Sequence, residues 1–164
     1  MVEMNGLKLK SLENHNCIGF DVDHCLVRYK LKALTRVCYE SLMKSLIQSK
    51  GYPQSLFDLT EEELGLGMNY LVIDTDKGTI LKLGEHNYIL KGKRGFKDID
   101  VVKEYGEERS LHEFDPVSVR RDSRYAVNST NFENAIPIVF AKIVEMKIKQ
   151  KMKEMEDKGS SNNG

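Results

Sequence analysis

The sequence that governs our interpretation of this chain is Cys17-Ile18-Gly19-Phe20-Asp21-Val22-Asp23-His24-Cys25-Leu26-Val27-Arg28-Tyr29. Its apolar residues Ile18, Phe20 and Val22 predict a short buried strand over Ile18–Val22. Asp21 and Asp23 then lie at or just past the end of that strand, and alternation points both side chains to the same face. Two carboxylates so close repel each other unless a cation holds them, and Mg²⁺ is a hard cation that prefers carboxylate oxygens. In open α/β sheets, ligands also bind at the carboxyl ends of the strands.

The segment Phe20-Asp21-Val22-Asp23-His24-Cys25-Leu26 resembles the first motif of the haloacid dehalogenase (HAD) superfamily. Its continuation, Val27-Arg28-Tyr29-Lys30, is similar to the opening of the cytosolic IMP/GMP-type 5′-nucleotidase family and its 5′-nucleotidase domain-containing relatives. The resemblance implies that Asp21 is a nucleophile that becomes phosphorylated and that Asp23 is a general acid/base. It also implies a Mg²⁺ cofactor, bound by the Asp21 carboxylate, the Asp23 backbone carbonyl and a distant Asp. The sequence departs from the family at Cys25, where Thr is usual.

The residue types at Asp21 and Asp23 suit phosphate ester chemistry. A carboxylate can form an aspartyl phosphate and so divide one difficult displacement into two easier ones. A second carboxyl group two residues later can protonate the leaving oxygen and then deprotonate the attacking water. Pairs of this kind also occur in surface loops, so a solvated turn is the alternative interpretation of Asp21 and Asp23.

Composition limits the classes of partner. The chain has 164 residues, enough for one domain, and its 25 basic and 25 acidic side chains give a formal net charge of zero. This balance does not favour nucleic acid or an anionic membrane as a partner. Cys17, Cys25 and Cys38 form no metal-binding pattern, and no signal peptide or long apolar segment is evident, which favours reduced thiols and a cytoplasmic location.

Periodicity predicts the other elements. Apolar residues at helical spacing predict helices over 30–50 and 135–155, the first ending at Gly51. Thr60 begins a short helix with a capping box. Apolar runs at 70–75, 79–83 and 88–91 predict an antiparallel meander. Asp74 and Asp76 could form a second metal pair, but the turn chemistry of Asp76-Lys77-Gly78 explains them better. Tyr29, Tyr39 and Cys38 are interpreted as packing residues.

Three further segments allow both a functional and a plain interpretation. The basic, glycine-rich segment 92–96 could cradle a phosphate, although a solvated turn is favoured. Arg120, Arg121 and Arg124 could contact an anion, although a surface charge cluster is favoured. The nucleotidase resemblance implies that Phe132 stacks on a base, whereas a core position is an equally good interpretation.

The predicted fold class is α/β, with a partial HAD-like (Rossmann-like) core and an inserted α+β cap that contains the meander. The expected divisions are an N-terminal extension (1–14), the start of the HAD core (15–52), the cap-like insertion (53–134), a helix (135–155) and a disordered tail (156–164). The resemblance covers only the N-terminal portion of the family, because the later Ser/Thr, Lys and Gly-Asp motifs are not found.

The expected function is therefore a Mg²⁺-dependent 5′-nucleotidase-like phosphohydrolase in a truncated form. Its substrate would be a nucleoside monophosphate or another small phosphate ester. The alternative is a non-catalytic nucleotidase-like fragment that acts through protein interaction.

Overall fold

The computed structural model describes residues 16–23, 25–68, 72–111, 114 and 124–160, and it gives the backbone alone at 3–4, 7–8 and 158–160. The chain divides into two compact units, Met1–Lys30 and Leu31–Gly164. In the first unit, strands β1 (Glu3–Met4) and β2 (Leu7–Lys8) pair antiparallel. The described residues from 16 to 30 contain no regular helix or strand, and an isolated bridge joins Asp23 to Val27. The division of the chain into core and cap stays a prediction.

The second unit contains a five-stranded sheet, which confirms the predicted meander. Its strands are β3 (Val72–Asp74), β4 (Thr79–Leu83), β5 (Ile89–Arg94), β6 (Lys97–Asp98) and β7 (Tyr125–Val127). The order is β6-β5-β4-β3-β7, and every neighbouring pair is antiparallel. Gly78 has φ +63° in the turn between β3 and β4, a conformation that glycine adopts without strain. The turn residues therefore specify both the hairpin and its register.

The described residues of this unit also form four α-helices, namely α1 (Leu31–Lys50), α2 (Glu61–Leu66), α3 (Val101–Tyr105) and α4 (Ala135–Ser160). The boundaries of α1 and α2 agree with their predicted signals. Gly51 follows α1 with φ +68° and its N–H donates to the Ile47 carbonyl. Thr60 and Glu63 form the reciprocal hydrogen bonds of a capping box.

The α4 helix continues past its predicted end at residue 155, so residues 156–160 are not the expected disordered tail. The residues that lead into this last part are mostly Lys, Gln, Met and Glu, which are good helix formers and extend a helix that has already been nucleated. The rest of the predicted tail, 161–164, lies outside the described residues.

The sheet of the second unit is covered on both faces. Alternation along β3 and β4 sends Ile73 and Ile80 toward a core formed with α1, α2 and α4, in which Tyr39, Met43 and Ile138 are buried. The neighbouring residues of the same strands point to a smaller cluster on the other face, made by Val72, Leu81, Ile89, Leu111 and Phe114. These two apolar clusters bury both faces of the sheet.

The predicted strand over Ile18–Val22 is wrong. These residues form no strand, and the side chains of Ile18, Phe20 and Val22 are each more than half exposed. A strand needs a neighbour for its hydrogen bonds, and the five strands of the sheet all come from residues 72–127. Apolar and β-branched composition alone does not supply that neighbour. The mixed α/β class is confirmed. The strand ladders of the described residues are all antiparallel, so these strands do not form the parallel sheet of a Rossmann-like core.

Candidate functional site

The Asp21–Asp23 pair lies on a bend in the first unit. The backbone N–H groups of Leu26 and Val27 donate to the Val22 carbonyl at 3.1 and 3.0 Å, which folds the chain back directly after the pair. The backbone N–H of Asp23 donates to Oδ1 of Asp21 at 3.3 Å. Both aspartate side chains are exposed to solvent. The turn places the Asp21 carboxylate beside the Asp23 backbone N–H without the predicted strand.

Tyr29, interpreted from the sequence as a packing residue, is half-buried and also makes a polar contact, in which its hydroxyl donates to Oδ1 of Asp23. This hydrogen bond, followed in importance by desolvation and the charges of Asp23 and Asp21, raises the pKa of Tyr29 above its ordinary value. The contact depends on the bend between the two residues, and apolar spacing carries no signal for that bend.

The Asp21 carboxylate and the Asp23 backbone carbonyl, which the resemblance implies as ligands, are hard oxygen donors and so agree in kind with the expected magnesium ion. Within the described residues, no three His, Cys, Asp or Glu side chains are grouped so that they could hold a metal ion. The magnesium ligands implied by the resemblance, the Asp21 carboxylate and the Asp23 backbone carbonyl, stay a prediction.

A second polar centre surrounds Asp74, at the end of β3. Its carboxylate is fully buried, and its oxygens accept from Nε and Nη2 of Arg124 at 3.3 and 3.1 Å. They also accept from the Tyr105 hydroxyl at 3.0 Å and from the Lys77 backbone N–H at 3.2 Å. Burial by itself raises the pKa of Asp74, but the bonds from Arg124, Lys77 and Tyr105 outweigh burial and hold the pKa below its usual value. This centre joins β7, α3 and the β3–β4 turn.

The geometry around Asp74 agrees with the turn interpretation and shows its structural role. The N–H of Lys77 closes the turn onto the Asp74 side chain, as expected for an aspartate at this position. Arg124, one of the three clustered arginines, is committed to this carboxylate and also lies 3.7 Å from Asp76. Arg120 and Arg121 lie outside the described residues. The partnership with Arg124 spans 50 residues of sequence, so local patterns could not reveal it.

The basic segment 92–96 forms the β5–β6 hairpin. Gly95 has φ +62° in its turn, and the two cations that precede it are paired within the protein. Lys93 contacts Asp98 at 2.8 Å, and Arg94 contacts Glu104 at 2.9 Å. A cleft of about 480 Å³ lies beside this turn and is lined by Thr60, Glu62, Glu63, Gly65, Leu66, Lys93, Phe96 and Glu145. Its three carboxylates outnumber its one lysine, which does not favour a phosphate ligand.

Phe132, the proposed base-stacking residue, lies in the 3₁₀ turn Asn131–Glu133 that precedes α4. Its side chain is half-exposed, so its ring is open to solvent on one side. A capping box formed by Thr130 and Glu133 fixes this turn. The ring is therefore presented by an ordered turn at the beginning of α4.

Known proteins similar to this chain agree with the resemblance found at the aspartate motif. The sequence model of the 5′ nucleotidase family matches residues 5–162, and the chain belongs to that family. It is 26% identical over 144 residues to 5′-nucleotidase domain-containing protein 1 of Bos taurus, an alignment that covers 85% of this chain and 32% of the relative. It is 28% identical over 139 residues to the Homo sapiens protein of the same description, covering 82% of this chain and 30% of the relative.

The chain thus spans about a third of the length of the curated relatives that it matches. Among the residues described, none of the helices combines the length and apolar character needed to cross a membrane.

Proposed function

We propose that this chain carries the nucleophile motif of a HAD-type, Mg²⁺-dependent 5′-nucleotidase that hydrolyses phosphate monoesters. The observation that carries the proposal is the exposed Asp21–Asp23 pair on a hydrogen-bonded bend, in a chain of the 5′ nucleotidase family. The proposed substrate is a nucleoside monophosphate or another small phosphate ester. The proposed roles are a nucleophile for Asp21 and a general acid/base for Asp23.

The proposed reaction has two displacements. In the first, a carboxylate oxygen of Asp21 attacks phosphorus, the bond between phosphorus and the ester oxygen breaks, and the protonated Asp23 carboxyl gives its proton to the leaving alcohol. In the second, Asp23 takes a proton from water, the water oxygen attacks phosphorus, and the Asp21–phosphate bond breaks. Inorganic phosphate leaves, and both aspartates return to their starting protonation states.

The surroundings of the pair support this division of roles. The Asp21 oxygen that accepts from the Asp23 N–H is oriented by that bond, and Tyr29 fixes one oxygen of Asp23. A bound magnesium ion would reduce the repulsion between the Asp21 carboxylate and the phosphoryl oxygens. Phe132 is the proposed contact for the nucleobase because its ring is half-exposed on an ordered turn. A cytoplasmic setting is proposed because Cys17, Cys25 and Cys38 are all unpaired thiols.

The proposal is tested by incubating the 164-residue chain with Mg²⁺ and either nucleoside 5′-monophosphates or p-nitrophenyl phosphate. Released phosphate and the phosphorylated chain are both measured, the latter by intact-mass spectrometry. We expect slow turnover, because catalysis of phosphoryl transfer depends on positioning and electrostatics, and the pair supplies only part of the metal shell. We also expect a phosphoryl group on Asp21 that hydroxylamine removes.

The control is Asp76→Asn, which removes a similarly exposed carboxylate from the β3–β4 turn. Asp21→Asn should abolish both signals, and Asp23→Asn should slow phosphate release, whereas Asp76→Asn should leave them unchanged. Phosphate release that survives Asp21→Asn, or a phosphoryl group that maps to another residue, would contradict the proposed chemistry. Rapid Asp21-dependent turnover would instead show that the chain alone assembles a complete site.

The second candidate is a non-catalytic role through protein contacts. It is favoured by a specific observation, namely that the outer turns of α4 expose an apolar stripe to solvent. Absence of both phosphate release and chain phosphorylation, in a chain that remains folded, would favour this role.

A further inference from the structure

The outer part of α4 is a helix with no covering layer among the described residues. Met146 is the last residue of α4 that packs against the core, and every residue from 147 to 157 is exposed. Three apolar side chains in this segment are Ile148, Met152 and Met155, which are 40%, 53% and 57% exposed. Because their spacing is i, i+4 and i+7, they form one stripe along the helix. We call residues 147–157 the outer segment.

Charged residues flank the stripe in a particular arrangement. At about 100° per residue, Lys149 and Glu156 lie on one flank of the stripe, and Lys151 and Glu154 lie on the other. Each flank therefore carries a lysine nearer the body of the protein and a glutamate nearer the helix end. Lysines spaced four apart, such as Lys149 and Lys153, repel each other along the helix. Lys149 also lies 3.9 Å from Glu145 one turn earlier, an exposed ion pair that contributes little to stability and can be exchanged for a pair across a contact.

We propose that the outer segment pairs with the same segment of a second copy of this chain, in an antiparallel arrangement about a twofold axis. In one alignment of the two helices, the charged residues on both flanks face residues of opposite charge in the other copy. With the axis between Met152 and Lys153, Lys149 of each copy lies opposite Glu156 of the other. In the same register, Lys151 lies opposite Glu154. The apolar residues of the two copies then alternate along the contact. The order is Ile148 of the first copy, Met155 of the second, Met152 of the first, Met152 of the second, Met155 of the first and Ile148 of the second. The surface is self-complementary, as a twofold interface requires.

The charges also argue against other arrangements. Parallel pairing about a twofold axis would bring opposite flanks together and set Lys149 near Lys151 and Glu156 near Glu154, so like charges would meet. An anionic membrane or an acidic groove would attract the lysines but would repel Glu154 and Glu156, which border the stripe on both sides. A second copy of this chain presents both lysines and glutamates, so it complements the negative and the positive charges of the outer segment. Because the segment has only about three turns, the contact is small and weak, with a dissociation constant on the order of 100 μM.

The test is sedimentation equilibrium of the full 164-residue chain at low ionic strength, over concentrations from well below to well above that constant. We expect concentration-dependent dimers that weaken as salt is added, since exposed ion pairs are screened. Met152→Glu should remain monomeric because it places charge at the centre of the stripe. Circular dichroism verifies that each variant keeps the native helix content and thermal transition.

Two double variants of identical composition and net charge test the register itself. Lys149→Glu with Glu156→Lys exchanges the charges of two residues that lie opposite each other in the dimer. Every pair between the two copies therefore keeps opposite charges, and dimerisation should match the wild type. Lys149→Glu with Glu154→Lys makes the opposed pairs like-charged and should weaken dimerisation at least about tenfold. A wild-type chain that stays monomeric throughout would overturn the proposal. Equal association of the two double variants, or binding to anionic vesicles in place of dimers, would overturn it as well.

Discussion

Replacing Asp74 by Asn changes a single atom within a fully buried carboxylate that accepts four hydrogen bonds. The amide has the shape of the carboxylate, so packing is preserved. Its NH₂ group, however, must occupy the place of one oxygen. If it replaces Oδ2, it faces Nη2 of Arg124, which is also a donor. If it replaces Oδ1, it faces Nε of Arg124 and the backbone N–H of Lys77.

The expected loss of stability in Asp74→Asn depends on how exposed each hydrogen-bond partner of Asp74 is. A hydrogen bond to a charged group contributes about 1.5–3 kcal/mol, and removing one member of a buried ion pair costs about 3–5 kcal/mol. The Arg124 side chain is 38% exposed, so water recovers part of the solvation that its guanidinium needs. The Tyr105 hydroxyl can turn to accept from the amide and donate to Thr79, which lies 2.5 Å away. We therefore expect Asp74→Asn to lower the free energy of unfolding by about 2–3 kcal/mol.

The assay is urea denaturation followed by circular dichroism, with Asp76→Asn as the matched control in the same turn. Asp76 is 69% exposed and lies 3.7 Å from Arg124, so its substitution should cost less than about 0.5 kcal/mol. Because the folded-state pKa of Asp74 is lowered, its contribution is present at neutral pH and is lost as the pH falls through that pKa. The gap between wild type and Asp74→Asn should therefore narrow below about pH 4. Equal losses from the two variants, or a gap that widens in acid, would refute this reasoning.

Two further substitutions test packing in the same unit by urea denaturation. Gly67→Ala should lower the free energy of unfolding by about 2–3 kcal/mol, because a Cβ there would lie 1.8 Å from the Asn134 carbonyl oxygen. At Gly65 an added Cβ meets nothing within 4 Å, so Gly65→Ala should raise the free energy of unfolding by about 0.5–1 kcal/mol through its higher helix propensity. A loss at Gly65 as large as that at Gly67 would contradict the packing. Thr35→Val should stabilise by about 1 kcal/mol, since the Thr35 hydroxyl is buried and has no partner among the described residues, and a loss of stability would show that the hydroxyl is bonded in solution.

Local signals predicted most elements of the second unit. The helical periodicity of 30–50, the glycine at 51 and the capping residues at Thr60 each act within a few residues of sequence, and each agrees with the structure. The meander was predictable for the same reason, because Asp76-Lys77-Gly78 specifies a tight turn between two apolar runs. These features require no knowledge of what lies opposite them in space.

The failures share a different property. The residues Ile18–Val22 were expected to form a strand because they are apolar, but a strand is defined by its neighbours and not by its composition. The burial of Asp74 depends on Arg124, 50 residues away, and the contact of Tyr29 with Asp23 depends on an irregular bend. Periodicity has no access to contacts of this kind. The choice of Asp21 and Asp23 as site residues came from a motif resemblance, which carries chemical information that periodicity lacks.

The positions of the two aspartate centres make their roles experimentally separable. Asp21 and Asp23 are exposed on a bend and belong to neither apolar cluster, so their substitution should leave the unfolding transition almost unchanged. Asp74 is buried and holds β7, α3 and a turn together, so its substitution should be visible mainly in stability. A loss of phosphate chemistry in Asp21→Asn, at unchanged stability, can therefore be assigned to the reacting group itself. The same loss in Asp74→Asn would be attributed to unfolding, because a fully buried carboxylate that already accepts four hydrogen bonds is not available to attack phosphorus.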